Sequence, residues 1–352
     1  MSQPSSIPHS RPSLGEAEAQ AAADVIRAGW IAQGKKVDEF ERALAKVTGQ
    51  DQGVAVNSGT AALFLALKGL GIGAGDEVVF PSYVCTALWH AVRQAGAVPI
   101  LADIAPSTYN LSPVAVARAI TPRTKAVIVV HSFGLPMDVA DLKVAGIPLI
   151  EDCAQTLGVS VGGAPVGSQG TLAVCSFYAT KMMTTGEGGM VLGREASLMA
   201  RVRAFREYDK RDTLESAFNY KMTDLQAAIG LSQAARFKSF LERRRVIAMK
   251  YAEAVRGAGL EPPQVPSGRE HAYDRFVVRM PTPVGPMLER AKVLGIACQR
   301  PVYLPIHRYL GLTGFPESDA AWEHTLSIPI YPALSDGEVN RVVEAFPSIL
   351  AG

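Results

Sequence analysis

Apolar and polar positions along this chain follow two alternating rhythms. Glu16 to Arg27 repeats its apolar residues at helical spacing, a turn follows around Gly29 to Gly34, and Val37 to Val47 carries a second helical pattern. From Val54 onward, short β-branched runs at 54–56, 77–80, 99–102, 126–130, 148–151, 172–177 and 189–192 alternate with helical stretches. That alternation predicts an α/β fold, a mainly parallel sheet with helices on both faces. A long helical pattern from Thr223 to about Val255 leads into the Pro-rich segment Glu261 to Pro266. Beyond it, strand-like Phe276 to Met280 and helix-like Met287 to Leu294 and Asp336 to Phe346 predict a smaller α+β unit. The expected division is a large domain over 1–240, N-terminal arm included, and a small C-terminal domain over 241–352, which suits a chain of 352 residues.

In a sheet of this kind a ligand lies beyond the carboxyl ends of the strands. Chemistry-bearing residues follow the runs. Asn57, Ser58, Gly59 and Thr60 follow the first, Pro81, Ser82 and Tyr83 the second, His131 the fourth, Glu151 and Asp152 the fifth, and Lys181 comes just after the sixth.

Composition narrows the function classes. The chain is 48% hydrophobic and 19% charged, as a well-buried enzyme is, and its formal charge of +2 with no dense Lys/Arg run excludes nucleic acid as a partner. The most basic stretch, Arg243 to Arg245, lies inside a helical pattern and reads as a solvated face or a helix end. Cys85, Cys153, Cys175 and Cys298 form no CxxC pair, and no two histidines have HExxH or HxxxH spacing, so no metal site is expected. Gly69 to Gly75 lacks GxGxxG spacing and follows a helix, and no GxSxG occurs, which disfavours a nicotinamide oxidoreductase. Met1 to Ser13 has no basic start before an apolar core and no eighteen apolar residues run together; a cytoplasmic protein without membrane contact is expected.

Three features carry chemistry as a set. Asn57 to Thr60 ends a strand and opens the apolar helix 61–67, which makes an anion site at a helix N-terminus; taken alone it reads first as an ordinary cap by Ser58 or Thr60. Asp152 ends a buried strand and needs a cationic partner, such as a pyridinium nitrogen, unless it merely caps the next helix. Lys181 precedes the Gly-rich turn 186–189; a Schiff-base lysine there needs desolvation to lower its pKa, for which Met182 and Met183 would supply an apolar wall, whereas a single loop lysine is more often solvated. An anion site, a strand-end Asp and a strand-end Lys on one sheet edge together point to pyridoxal 5'-phosphate (PLP).

Several stretches carry a likeness to a known family: NSGTAAL from Asn57, PSYVCTA from Pro81, EDCAQTLG from Glu151, SFYATKMMTTGEGGM from Ser176, FNYKMTDLQAAIG from Phe218, LPIHRYLG from Leu304 and LSIPIYPALSD from Leu326. Across nearly its whole length the sequence resembles the DegT/DnrJ/StrS aminotransferases, the nucleotide-sugar branch of fold-type I PLP enzymes. The resemblance implies that Lys181 forms the Schiff base and shuttles the proton, that Asp152 binds the pyridine nitrogen, and that Gln155 bonds the cofactor's phenolic oxygen. Ser58, Gly59, Thr60 and Ser176 would hold the phosphate, with Asn219 reaching it from the partner subunit of a homodimer.

Two departures stand out. Where many relatives place an aromatic on the pyridine ring this chain has Cys85, leaving Tyr83, another residue or none to stack, and where relatives usually have Arg it has Lys221, which keeps the charge without the bidentate fork. His307 and His131 are candidates for the substrate pocket, or equally satisfied structural histidines. The resemblance implies a reaction that moves an amino group, usually from glutamate, to a keto-sugar that is nucleotide-linked in the family's pattern. A keto-cyclitol or a simple ketone or aldehyde would use the same machinery. A dehydratase would have His in place of Lys181, and a regulatory protein of this fold would have lost Lys181, Asp152 or Gln155.

Overall fold

The computed structural model describes residues 6–142, 144, 146–209, 212 and 214–351; the first five residues of the N-terminal arm lie outside them. Helices α1 (Glu16–Ala28) and α2 (Lys35–Thr48) come first, closed by Gly29 and Gly49 at positive φ of 75° and 65°, the left-handed end that glycine adopts without strain. The main sheet then alternates with helices: β1 (Gln52–Val56), α3 (Gly59–Gly69), β2 (Glu77–Pro81), α4 (Ala87–Gln94), β3 (Val98–Ala102), α5 (Pro113–Ala119), β4 (Thr124–Val130) and β5 (Leu149–Asp152). A two-stranded excursion, β6 (Ser160–Val161) and β7 (Ala164–Pro165), precedes β8 (Leu172–Ser176), β9 (Gly189–Gly193) and α6 (Ala196–Arg206).

Strand order is β1-β9-β8-β5-β4-β2-β3. The pairs from β8 to β3 are parallel, as expected, but β9 runs antiparallel to both β1 and β8. Apolar content alone could not show this, because a strand buried on both faces has the same composition in either direction. Alternation along β1 sends Val54 and Val56 to the core beneath α3 and Ala55 to the core beneath α2. Every residue of α3 from Ala61 to Leu67 is buried, so this helix is apolar all round and packs between the sheet and α4 and α6.

The 34-residue α7 (Asp224–Gly257) starts with a capping box between Thr223 and Gln226. Its Phe237, Phe240 and Leu241 belong to the core under the sheet, while Ile247, Tyr251 and Val255 belong to a second core, so the helix changes cores within one continuous rod and position 240 falls inside it. The second core is completed by β10 (Phe276–Arg279), α8 (Gly285–Val293), β11 (Thr325–Ile328) and α11 (Asp336–Leu350), with β10 and β11 antiparallel, while α9 (Ile306–Tyr309) sends Ile306 to the core beneath α3 and α10 (Pro316–His324) places Ala321 in a cluster with Tyr83 and Phe133. Ile7 from the N-terminal arm joins it, bridging to Ile296. No helix among the described residues is long and apolar enough to cross a membrane, and no cluster of potential metal ligands occurs among them.

Candidate active site

A cavity of about 670 Å³ opens at the carboxyl ends of β5 and β8, walled by the start of α3, the 83–88 segment and residues 301–304. Ser58, Gly59, Thr60, Tyr83, Asp152, Gln155, Ser176 and Lys181 all line it. Ser58 caps α3 by accepting from Ala61 N–H at 3.1 Å, which leaves the N–H groups of Gly59 and Thr60 without intrahelical acceptors at the positive end of the helix dipole. A Cβ at Gly59 would stand 2.7 Å from Ser176 Cβ, so glycine is what lets the helix start approach Ser176. Gly189 serves the same end: it pairs with both Val56 and Ser176, and a side chain there would collide with the Ser58 carbonyl.

Asp152 is buried at the end of β5 and accepts one hydrogen bond, from Ala154 N–H at 3.0 Å. Burial pushes its pKa up, opposed by that N–H and by the charge of Lys181. A buried carboxylate with spare acceptor capacity, open to a cavity, suits an aromatic cation with an N–H to donate. Gln155 is oriented by Phe133, whose N–H donates to its Oε1 at 2.7 Å and leaves the amide N–H pair available. Phe133 does this from φ 59°, an uncommon conformation for a non-glycine residue. The residues present thus fit a ring cation, a phenolic oxygen and a phosphate arm, the three polar ends of PLP.

Residues 12–347 match the DegT/DnrJ/EryC1/StrS aminotransferase family. The chain belongs to that family. It is 34% identical to the spore coat polysaccharide biosynthesis protein SpsC of Bacillus subtilis (strain 168), over 98% of this chain and 97% of that protein. Its fold matches the PLP form of Spr1654 from Streptococcus pneumoniae with a TM-score of 0.91 at 29% identity, over 98% of each chain. It also matches the sugar aminotransferase CalS13 from Micromonospora echinospora with a TM-score of 0.89 at 28% identity, over 97% and 99% of the two chains. This DegT-family protein is a PLP-dependent aminotransferase.

Other residues singled out in the sequence lie elsewhere. His131 is fully buried outside the cavity wall: its Nδ1 accepts from Met137 N–H at 3.1 Å, so Nε2 carries the proton and donates to Glu151 at 3.0 Å. His307 is buried between Ser82 Oγ at 2.7 Å and Asp319 at 3.1 Å and does not line the cavity either. Both are held by bonds within the fold. Met182 and Met183 sit in the core under the sheet and supply no wall for Lys181. Tyr83 lines the cavity, but its hydroxyl donates to the Ala321 carbonyl at 3.2 Å and its ring packs with Tyr109 and Phe133. Asn219 is exposed and absent from its own chain's cavity wall, and Lys221 pairs with Asp209 at 2.8 Å. The sequence reading missed Arg275, Glu187 and the rim tyrosines Tyr178, Tyr303 and Tyr309. Arg275 alone left a trace, a charge set immediately before a buried strand.

Proposed function

We propose that this aminotransferase moves an amino group from glutamate to a nucleotide-linked keto-sugar in the cytoplasm, working as a homodimer in which each site borrows from the partner. The observation that supports a sugar is the rim: Tyr178, Tyr303 and Tyr309, 47%, 87% and 52% exposed, present aromatic faces and hydroxyls beyond the cofactor-sized interior of a cavity of about 670 Å³. In this reading the domains 1–240 and 241–352 close the two sides of the cleft.

Bound, the cofactor supplies a carrier for the amine and a sink for the electrons left at the substrate carbon. The chain supplies the rest. Asp152 keeps the ring nitrogen protonated, Gln155 donates to the phenolic oxygen, and Gly59 and Thr60 N–H with the Ser58 and Ser176 hydroxyls hold the phosphate. Lys181 would anchor the cofactor, and its Nζ would carry the proton to and from the substrate carbon. Asn219, facing outward from the segment whose Lys221 bridges to Val56, serves the partner's phosphate.

The test is a screen of amino donors against keto-sugars, nucleotide-linked and free, keto-cyclitols and simple ketones, with aminated products weighed. Transfer to a cyclitol or ketone with none to any sugar would sink the sugar reading. For the shared site, Lys181→Ala and an Asn219 variant are unfolded and refolded together. Random pairing makes about half the dimers mixed, each with one intact site, so roughly a quarter of wild-type activity returns. Activity no higher than the mean of the two parents would assign Asn219 to its own chain or to no site.

A further inference from the structure

Two cations line the cavity, Lys181 and Arg275, and only the first has a part in the reading above. Arg275 sits immediately before β10, on the second core's side of the cleft, half-buried. Among the described residues no carboxylate lies within ion-pair distance of it, and its Nε is buried with no hydrogen-bond partner. Its one side-chain neighbour in hydrogen-bonding reach is His9, with NH1 3.4 Å from Nδ1. A guanidinium only donates, so Nδ1 is the acceptor and Nε2 carries the proton, donated to Ser327 Oγ at 2.9 Å. Burial and the charge of Arg275 itself hold His9 down to about 3, so it stays neutral and leaves the guanidinium charge uncompensated.

Nearby arginines contrast with it. Arg308 is spent on Asp319 and Glu323, and Arg300 on the Trp322 carbonyl and ring. A half-buried cation with an unpartnered Nε in a substrate cavity is an incomplete ion pair. The cofactor phosphate does not complete it, because the α3 start that suits a phosphate is already furnished with its own N–H groups and hydroxyls.

We propose that Arg275 is the carboxylate clamp for the amino-acid donor, completed each time glutamate or its keto-acid product occupies the cavity. This rests on the aminotransfer reading above. The planar fork matches a carboxylate bidentately, and a deep site backed by a neutral histidine suits a small acid rather than a diphosphate at the rim. Arg275 is a substrate-binding residue for one half-reaction only: the amine-accepting substrate does not use it.

The test compares PLP-loaded wild type, Arg275→Gln and Arg275→Lys in separated half-reactions. With glutamate and no acceptor, rapid mixing follows the cofactor absorbance; half-saturation rises about ten- to a hundredfold for Arg275→Gln, as for loss of a charged bidentate bond, with Arg275→Lys in between. Glutarate, which has no amine to transfer, binds more weakly by a similar factor in calorimetry. Propylamine, which has no carboxylate, reacts alike with all three proteins, and the amine-loaded enzyme passes its amine to the acceptor with unchanged half-saturation. Unchanged glutamate half-saturation and glutarate affinity would overturn the proposal; so would a loss confined to the acceptor half-reaction, which would give Arg275 to a phosphate of that substrate. If Arg275→Gln fails to load cofactor, Arg275→Lys and glutarate binding decide. A wild type that takes amine from glutamate but gives it to no sugar removes the sugar reading and leaves Arg275 in place.

Discussion

The two faces of β5 end in neighbouring carboxylates with opposite fates. Glu151 accepts from the N–H groups of Gly167, Gln169 and Gly170 and from His131, and although its burial acts to raise the pKa, the His131 bond and the N–H groups of Gly170 and Gly167 bring it below the usual carboxylate range. Asp152, one residue on and facing the cavity, has a single N–H and a raised pKa. One carboxylate is complete within the fold and the other waits for a partner from outside. The contrast teaches that function shows as unfinished bonding: the satisfied group holds structure, and the under-satisfied one is where a ligand gains by binding.

Four measurements press on this contrast. Lys181→Ala, which removes the cation on the cavity side, should lower kcat by more than about 10⁴-fold, because anchor and proton carrier go together. A variant keeping a tenth of wild-type turnover would take Lys181 out of the mechanism. Asp152→Asn should cost about 10² to 10³-fold in kcat, the scale of removing one charge-stabilising contact, while the purified variant stays folded and binds cofactor through its phosphate. Glu151→Ala should show the reverse pattern, a stability loss in denaturant titration of about 1–3 kcal/mol for each buried N–H group left without an acceptor. If the two variants exchanged these phenotypes, the division of labour between the faces would be wrong.

The smallest effect is a pH dependence. Glu151 has a depressed pKa in the folded state, so its contribution is present above its unfolded value and is lost as pH falls through the folded one. Asp152 has a raised pKa, so in cofactor-free protein its charged form opposes folding above that value and is neutral in effect below the unfolded one. Thermal midpoints from pH 7 down to pH 3 should therefore fall in wild type and fall less in Glu151→Gln. Cofactor-free Asp152→Asn should melt above wild type at pH 7, with the gain fading toward pH 3. Parallel curves for all three proteins would remove both assignments.

Much of the site was legible because strand ends are legible. The short β-branched runs located the carboxyl edge of the sheet, and Ser58, Asp152 and Lys181 were found by their place on it. What position along the chain cannot give is which side a residue takes or what already satisfies it. His131 follows β4 as properly as Asp152 ends β5, yet it turns to Glu151 and away from the cavity. The antiparallel β9 was hidden for a related reason, since Gly189 to Leu192 has the composition of any doubly covered strand. Arg275 left only its place before a buried strand as a trace, because its meaning lies in contacts it lacks, across a cleft closed by residues far away in sequence.

Ile7 gives the chain an unusual schedule. Its N–H donates to the Gly295 carbonyl and its carbonyl accepts from Ala297 N–H, so residue 7 is held by residues 295–297. On a ribosome adding about 5–20 residues per second, that arm emerges and then waits tens of seconds for its seat to be made. Through that interval the sheet can assemble, but an apolar residue at the leading end stays unburied and the wall that carries Arg275 is not yet synthesised. The nascent enzyme can therefore assemble its sheet before its substrate side, and the segment 295–297 that follows α8 is what docks Ile7.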